Sequence, residues 1–179
     1  MMKQFDKRIE IQKQFADLQK EHFFESTLFS YQWWILIATT LILWIVWLLI
    51  VDKKRLKEIL IVGLITSMLA VVMDDIGLSV MAWFYPYQLV YFTTRLNAVD
   101  LAVIPVSYML LYQYFRPWKS YFLATAGFCL FAAFIAEPIF VKLNMYEMMR
   151  WEYWYSFPIY MVLGIFVKWL VDKIERKYG

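Results

Sequence analysis

The sequence predicts an all-α membrane protein: a polytopic bundle of five transmembrane helices preceded by an N-terminal amphipathic helix. Hydrophobic residues make up 63% of the 179 residues and charged residues only 18%, which is far too apolar for a soluble domain of this size. Several separate apolar runs reach the ~20 residues that a helix needs to cross the hydrocarbon core. Most cations outside the N-terminal segment lie in short stretches between these runs, as in the loops of multi-span proteins.

Residues 1–30 form an N-terminal segment with amphipathic character. The stretch 1–25 carries five cations and five acids, and its apolar residues cover roughly half of a helical wheel. Two interpretations stay open: a helix that lies near the membrane or against a partner, and a solvated helix of mixed charge. We expect His22, the single histidine, at the surface, where it would be at most a weak pH-responsive group.

The first two spans are predicted at 31–51 and 58–80. Tryptophans near both ends of span one are typical of an aromatic belt, and four cations in 52–57 place the following turn in the cytoplasm. Span two then returns outward. The aromatic stretch 81–97 contains Pro86, which ends or bends a helix, so we expect an interfacial or re-entrant segment that is buried in protein or faces water.

Span three is predicted at 98–115. Asn97 is a candidate N-cap, and Asp100 stands at the third helical position, an arrangement like a capping box. Pro105 cannot donate a backbone hydrogen bond and is expected to free the carbonyl of Leu101.

Spans four and five are predicted at 120–141 and 153–171, and 172–179 is predicted to be a cation-rich cytoplasmic tail. Pro138 and Pro158 lie in the outer parts of these spans, where each should bend its helix and free a carbonyl. Three prolines at one level on three helices favour a small polar cavity that opens outward.

The distribution of cations predicts an outer N-terminus and a cytoplasmic C-terminus. The inner segments of the five-span arrangement hold ten Lys and Arg residues, whereas the outer loops after span two and span four hold three. The five cations of the N-terminal segment oppose this orientation, and its acids do not offset them because acids contribute little to the positive-inside rule.

Asp74 and Asp75 lie inside the apolar run of span two and are the first candidates for a functional site. Ionisable residues within a membrane are functional candidates by default. Neighbours on a helix point about 100° apart, so the two carboxylates cannot both face one partner. Binding of a cation or proton, or general acid–base chemistry, stands beside a structural alternative, in which they pair with Arg95 or bond between helices.

The other candidate site residues are Arg95, Asp100 and Glu137. Arg95 is either an interfacial ion-pair partner or a group that binds a carboxylate or phosphate in bidentate fashion. Asp100 either caps span three or contacts a ligand. Glu137 is either a proton-relay carboxylate or second cation ligand, or a carboxylate bonded to a helix-end amide or an interfacial Trp or Tyr.

Aromatic residues crowd the predicted outer rim, where an ordinary interfacial belt and a wall for an apolar ligand are the two interpretations. Side chains of span three are expected to bond between helices. The lone cysteine, Cys129, is expected to pack in the interior. The sequence has no His/Cys metal set, nucleophile motif or Gly-rich phosphate loop, so we predict no metal site and no cofactor. The rim residues are Trp83, Tyr85, Tyr87, Tyr91, Trp151 and Trp154, and the span-three residues are Tyr108, Tyr112 and Gln113.

Six short motifs between residues 74 and 160 form a recognisable pattern. They are DDIG at 74–77, WFYP at 83–86, DLAVIP at 100–105, YQYFRPWK at 112–119, EP at 137–138 and WYSFPIY at 154–160. With these motifs the chain resembles, over residues 30–171, a family of small, uncharacterised multi-span membrane proteins of endospore-forming bacteria. The resemblance implies a bacterial plasma membrane and no particular activity.

Three functions stay open from the sequence. The first is a non-enzymatic binder of a small ligand or lipid, or a sensory or accessory membrane factor, with an outward-facing acidic cavity. The second is an intramembrane enzyme that acts on a lipid or isoprenoid by carboxylate acid–base chemistry, and the third is a proton- or cation-coupled transporter. The expected partners are membrane lipid and a membrane protein or a second copy of the chain, and we expect no binding to nucleic acid.

Overall fold

The computed structural model of the protein describes residues 2–178 and confirms an all-helical fold. Turns of π-helix adjoin three of the helices, and one short antiparallel strand pair links two loops. The helices are α1 (Met2–His22), α2 (Tyr31–Ile50), α3 (Leu56–Ser79), α4 (Ile104–Tyr114), α5 (Trp118–Phe131), α6 (Glu137–Lys142) and α7 (Tyr153–Tyr178). The π-helical turns are Phe23–Thr27, Val99–Val103 and Ala132–Ala136, and the strands are β1 (Trp83–Phe84) and β2 (Glu147–Met148).

Three continuous helical stretches within residues 2–178 are long and apolar enough to cross a membrane. They are Tyr31–Ile50, which is α2; Lys53–Ser79, which is α3 with the 3-10 turn before it; and Trp118–Lys142, which joins α5, a π-helical turn and α6. Their outer surfaces are themselves apolar: Leu49 is 79% exposed and Leu64 is 72% exposed. Contact of such an apolar surface with water is unfavourable, whereas contact with lipid hydrocarbon is not. A membrane location follows from these three helices.

The core of the bundle lies where α3, α4, α5 and α7 meet. The buried hydroxyl groups of Tyr108 on α4 and Tyr121 on α5 donate to the carbonyls of Tyr160 and Gly164 on α7, at 2.7 and 2.9 Å. A side chain at Gly164 would not fit, because its Cβ would lie 2.5 Å from the Tyr108 ring. These bonds confirm the predicted interhelical role of Tyr108.

Side chains also tie α2 to the rest of the bundle. Gln113 donates from Nε2 to the Ile50 carbonyl and accepts at Oε1 from the Asp52 amide, both at 2.9 Å, and so completes the C-terminal end of α2. The Leu101 carbonyl, which Pro105 was expected to free, accepts a bond from the Trp44 indole at 3.0 Å.

Helix α1 contacts the bundle mainly through its C-terminal end. Gln19 Nε2 donates to the Thr93 carbonyl at 2.8 Å, and His22 Nε2 lies 3.1 Å from the Pro86 carbonyl. Apolar residues of α1 such as Phe5 and Leu18 stay exposed. The structure therefore leaves both interpretations of this helix open.

One local expectation is corrected. Asn97 does not form a capping box, because its Oδ1 has no hydrogen-bond partner and the Asp100 amide bonds to the Leu96 carbonyl instead. The segment 81–97 contains β1, which pairs with β2 so that Trp83 lies opposite Met148. The helix of predicted span five continues through the charged tail to Tyr178, because no residue that breaks helices interrupts the tail.

Candidate functional site

Helix α3 presents Asp74 and Asp75 on two different faces, as the 100° spacing predicts. Asp74 is only 5% exposed, whereas the Asp75 side chain is 55% exposed. Asp75 Oδ2 pairs with Arg95 Nη1 at 2.7 Å, which is the structural partner expected from the sequence. Asp74 is therefore the residue of the pair that faces the protein interior.

Two aromatic side chains donate hydrogen bonds to the same oxygen of Asp74. Trp83 Nε1 lies 2.8 Å and the Tyr85 hydroxyl 2.7 Å from Oδ1. Gly77 permits this arrangement, because a Cβ at that position would lie 2.0 Å from the Trp83 ring. The chain after α3 thus folds back over the helix and covers the carboxyl group.

Asp100 lies beside Asp74, at a separation that allows a hydrogen bond between the two carboxyl groups. Asp100 is 4% exposed and stands in the π-helical turn Val99–Val103 that precedes α4. The Oδ2 atoms of both residues are buried without a hydrogen-bond partner. Two carboxylates in contact repel each other unless a proton lies between them, so this geometry suits a pair that shares one proton.

Glu137 lies in a second network of hydrogen bonds. Its Oε1 accepts from the Tyr160 hydroxyl at 2.7 Å and its Oε2 accepts from Ser156 Oγ at 3.0 Å. Trp151 Nε1 in turn donates to Ser156 Oγ at 2.9 Å. Every oxygen of this carboxylate has a donor, which fits the alternative of a carboxylate bonded to aromatic residues near the interface.

Aromatic contacts join the two networks. The rings of Trp83 and Trp151 meet edge to face with centroids 4.8 Å apart, and the rings of Tyr85 and Tyr146 stack at 5.5 Å. The pairing of β1 with β2 holds the two loops together at this place. We call the set Asp74, Asp100, Trp83 and Tyr85 the acidic centre.

Burial keeps the two loop tyrosines in their neutral form. It raises the pKa of Tyr85 well above its usual value, and the nearby Asp74 carboxylate adds to the effect. Burial also raises the pKa of Tyr146, with a contribution from Glu137. Both phenols therefore keep their protons over the physiological range, and Tyr85 remains a hydrogen-bond donor to Asp74.

A cavity of about 360 Å³ lies beside the acidic centre but does not include it. Tyr146 lines the cavity and stacks on Tyr85, so the two rings separate the cavity from Asp74. Asp74, Asp100 and Glu137 are not among the residues that line this cavity. The lining residues are Pro86, Val141, Asn144, Tyr146, Glu147 and Met148.

The structure brings four of the five predicted site residues together. Asp74 contacts Asp100, Asp75 pairs with Arg95, and Glu137 lies apart in its own network. Sequence reasoning missed Ser156 and Tyr160 as the partners of Glu137. The spacing of Ser156 and Tyr160 at i and i+4, which puts both on one face of α7, was the available signal.

In residues 2–178 there is no group of three or more His, Cys, Asp or Glu side chains that could hold a metal ion. Comparisons of the chain with protein-family models, with curated proteins and with solved structures found no match.

Proposed function

We propose that the chain is a multi-pass protein of the bacterial plasma membrane that acts as a non-enzymatic sensory or accessory factor, with a proton held at the acidic centre as the bound species. One observation carries the proposal: Asp74 and Asp100 are buried in contact, and each keeps an Oδ2 without a donor. A shared proton satisfies both oxygens, and its loss leaves two carboxylates that repel each other.

The proposal includes five spans with the N-terminus outside. The three long apolar helices supply three spans, and α7 and the π-extended α4 supply the other two. Ten cations in inner segments against three in outer loops support this orientation, and the resemblance to proteins of endospore-forming bacteria supports a plasma membrane. In this orientation the acidic centre lies in the outer half of the bundle.

Loss of the shared proton would act on the junction between α3 and α4. Asp74 belongs to α3 and Asp100 to the turn before α4, so repulsion between them pushes these two elements apart. A partner protein that contacts this end would detect the change. The groups that face the pair are Asp75 on α3, Trp83, Tyr85 and Arg95 on the following segment, and Tyr146 on the loop before α7.

Infrared difference spectroscopy of the purified protein tests the shared proton directly. We expect the carbonyl band of a protonated carboxyl group in the wild type at neutral pH, and loss of that band in Asp100→Asn. Asp75→Asn is the matched control, because Asp75 is exposed and paired with Arg95. A carbonyl band that is unchanged in both Asp74→Asn and Asp100→Asn would contradict the proposal. A pH titration of the same band in the wild type tests the shared proton without a variant.

The enzymatic alternative has less support. Chemistry on a lipid or isoprenoid requires a cavity that reaches Asp74 or Glu137, and the nearest described cavity is lined by other residues. Proton-coupled transport shares the proton site, but no internal repeat of the kind common in transporters is evident in the sequence.

A further inference from the structure

A second cavity, of about 420 Å³, lies at the opposite end of the bundle from the acidic centre. It opens between the beginning of α3, the end of α4, the beginning of α5 and the end of α7. Its lining is strongly polar and carries both signs of charge. The residues that line it are Arg55, Glu58, Tyr112, Arg116, Trp118, Lys168, Asp172, Glu175 and Arg176.

Lys168 is the unusual residue of this cavity, because it is only 3% exposed. Its Nζ lies 4.8 to 5.2 Å from the ring centres of Tyr112, Trp118 and Tyr121, and 3.3 Å from Asp172 Oδ2. An ammonium group has three donors, and the aromatic rings offer it only their faces. Because Asp172 is the one carboxylate that pairs with Lys168 in the described residues, the buried ammonium group can still donate to a further oxygen ligand.

Of the three guanidinium groups that line the cavity, those of Arg116 and Arg176 are also available to a ligand. Arg55 is engaged by Glu58 through Nε and Nη2, at 3.1 and 2.7 Å. Arg176 donates from Nε to the Asp172 carbonyl, and no carboxylate pairs with it or with Arg116 in the described part of the chain. The cavity lining holds four cations and three acids, which is 4 − 3 = +1, so it favours an anion.

We propose that this cavity binds a phosphate group through Lys168, Arg116 and Arg176. Guanidinium groups match the geometry of phosphate oxygens, and basic pockets between transmembrane helices on the cytoplasmic side bind anionic headgroups. The site is distinct from the acidic centre and does not rest on the proton-binding proposal. The same chemistry fits a lipid headgroup and a soluble phosphate ester, which experiment can separate.

The test uses the full-length protein in a maltoside micelle, which contains no phosphate. Its affinity is measured for a short-chain phosphatidylglycerol, for the diacylglycerol with the same chains, and for glycerol phosphate. We expect saturable binding of phosphatidylglycerol and weaker, non-saturable uptake of diacylglycerol. If glycerol phosphate binds as tightly as the lipid, the phosphate site stands and its natural ligand is soluble.

Arg116→Gln removes a cation at an exposed position and should weaken phosphatidylglycerol binding about tenfold, the equivalent of one charge-assisted hydrogen bond. Lys119→Gln is the matched control, because Lys119 lies three residues further on at the start of α5, is exposed and does not line the cavity. It should change the affinity less than about twofold.

Lys168→Met removes the buried ammonium and should abolish saturable binding in protein that keeps its helical circular dichroism. The proposal is overturned if phosphatidylglycerol binds no better than diacylglycerol. It is also overturned if Arg116→Gln binds the lipid as tightly as Lys119→Gln, a comparison that holds even if Lys168→Met does not fold.

Discussion

Buried carboxylates inside an apolar helix need donors, and Glu137 meets this need within the protein. The Tyr160 hydroxyl and Ser156 Oγ supply one donor to each of its oxygens, and Trp151 orients Ser156. Asp74 differs because only one of its oxygens has donors from side chains. This difference between the buried Asp74 and the half-buried Glu137 makes Asp74 the stronger candidate for a functional residue.

Removal of the Tyr160 hydroxyl should destabilise the protein. Tyr160→Phe leaves the half-buried Glu137 carboxylate without its 2.7 Å donor at Oε1, at a cost of about 1–2 kcal/mol. Reversible unfolding in mixed micelles with sodium dodecyl sulfate measures the change. Tyr155→Phe is the control, because the Tyr155 hydroxyl makes no hydrogen bond in the described structure, and an equal loss in both variants would contradict the prediction.

Alkaline pH should destabilise the protein through the loop tyrosines. Because burial raises the pKa of Tyr85 and Tyr146 in the folded state, the neutral phenols add stability that is complete below the unfolded pKa of about 10. This stability is lost as the pH rises above that value, since the unfolded chain ionises first.

Thermal unfolding midpoints across this pH range measure the loss, and tyrosinate absorbance reports the ionisation. Tyr85→Phe should reduce the slope of the midpoint with pH, whereas Tyr91→Phe, at an exposed position, should not. Equal slopes for the two variants would show that Tyr85 does not contribute.

Close packing of α3 against the loop that follows it depends on Gly77. Gly77→Ala places a Cβ 2.0 Å from the Trp83 ring and should cost about 1–3 kcal/mol by overpacking, because Trp83 cannot stay bonded to Asp74. Gly127→Ala is the matched control, since nothing lies within 4 Å of its added Cβ. It should stabilise α5 by up to about 1 kcal/mol. The same unfolding assay distinguishes the loss of stability expected for Gly77→Ala from the gain expected for Gly127→Ala.

Prolines and π-helical turns occur together in this bundle. Val99–Val103 directly precedes the helix with Pro105, and Ala132–Ala136 directly precedes the helix with Pro138. The three prolines predicted bends and a free carbonyl at each, and the Trp44 bond to Leu101 agrees with this for Pro105. The π-helical turns themselves were not predicted, because they follow from how each helix adjusts to its neighbours.

The proposed topology makes a prediction for the whole molecule. In intact cells, Asn144→Cys should react with a membrane-impermeant maleimide, whereas Lys54→Cys should react only after permeabilisation. Cys129 is fully buried and gives little background. Reaction of Lys54→Cys but not Asn144→Cys in intact cells would show the opposite orientation. Reaction of both variants in intact cells would exclude a membrane between the two positions.

The membrane class, the helical architecture and the different faces of residues 74 and 75 were determined by the sequence alone. Apolar runs of bilayer length report on transfer from water to lipid, which depends on composition, and the spacing of two adjacent residues is a property of any helix. Properties of this kind depend only on short stretches of the chain.

The tertiary structure alone decided which acids meet. Asp100 was interpreted as a candidate cap, and Trp83 and Tyr85 as part of an aromatic belt, yet all three contact Asp74. The partners of Glu137 and the cavity around Lys168 likewise join segments far apart in the chain. Such contacts depend on how helices pack and where loops fold back, and one sequence without its packing carries no local pattern that specifies them.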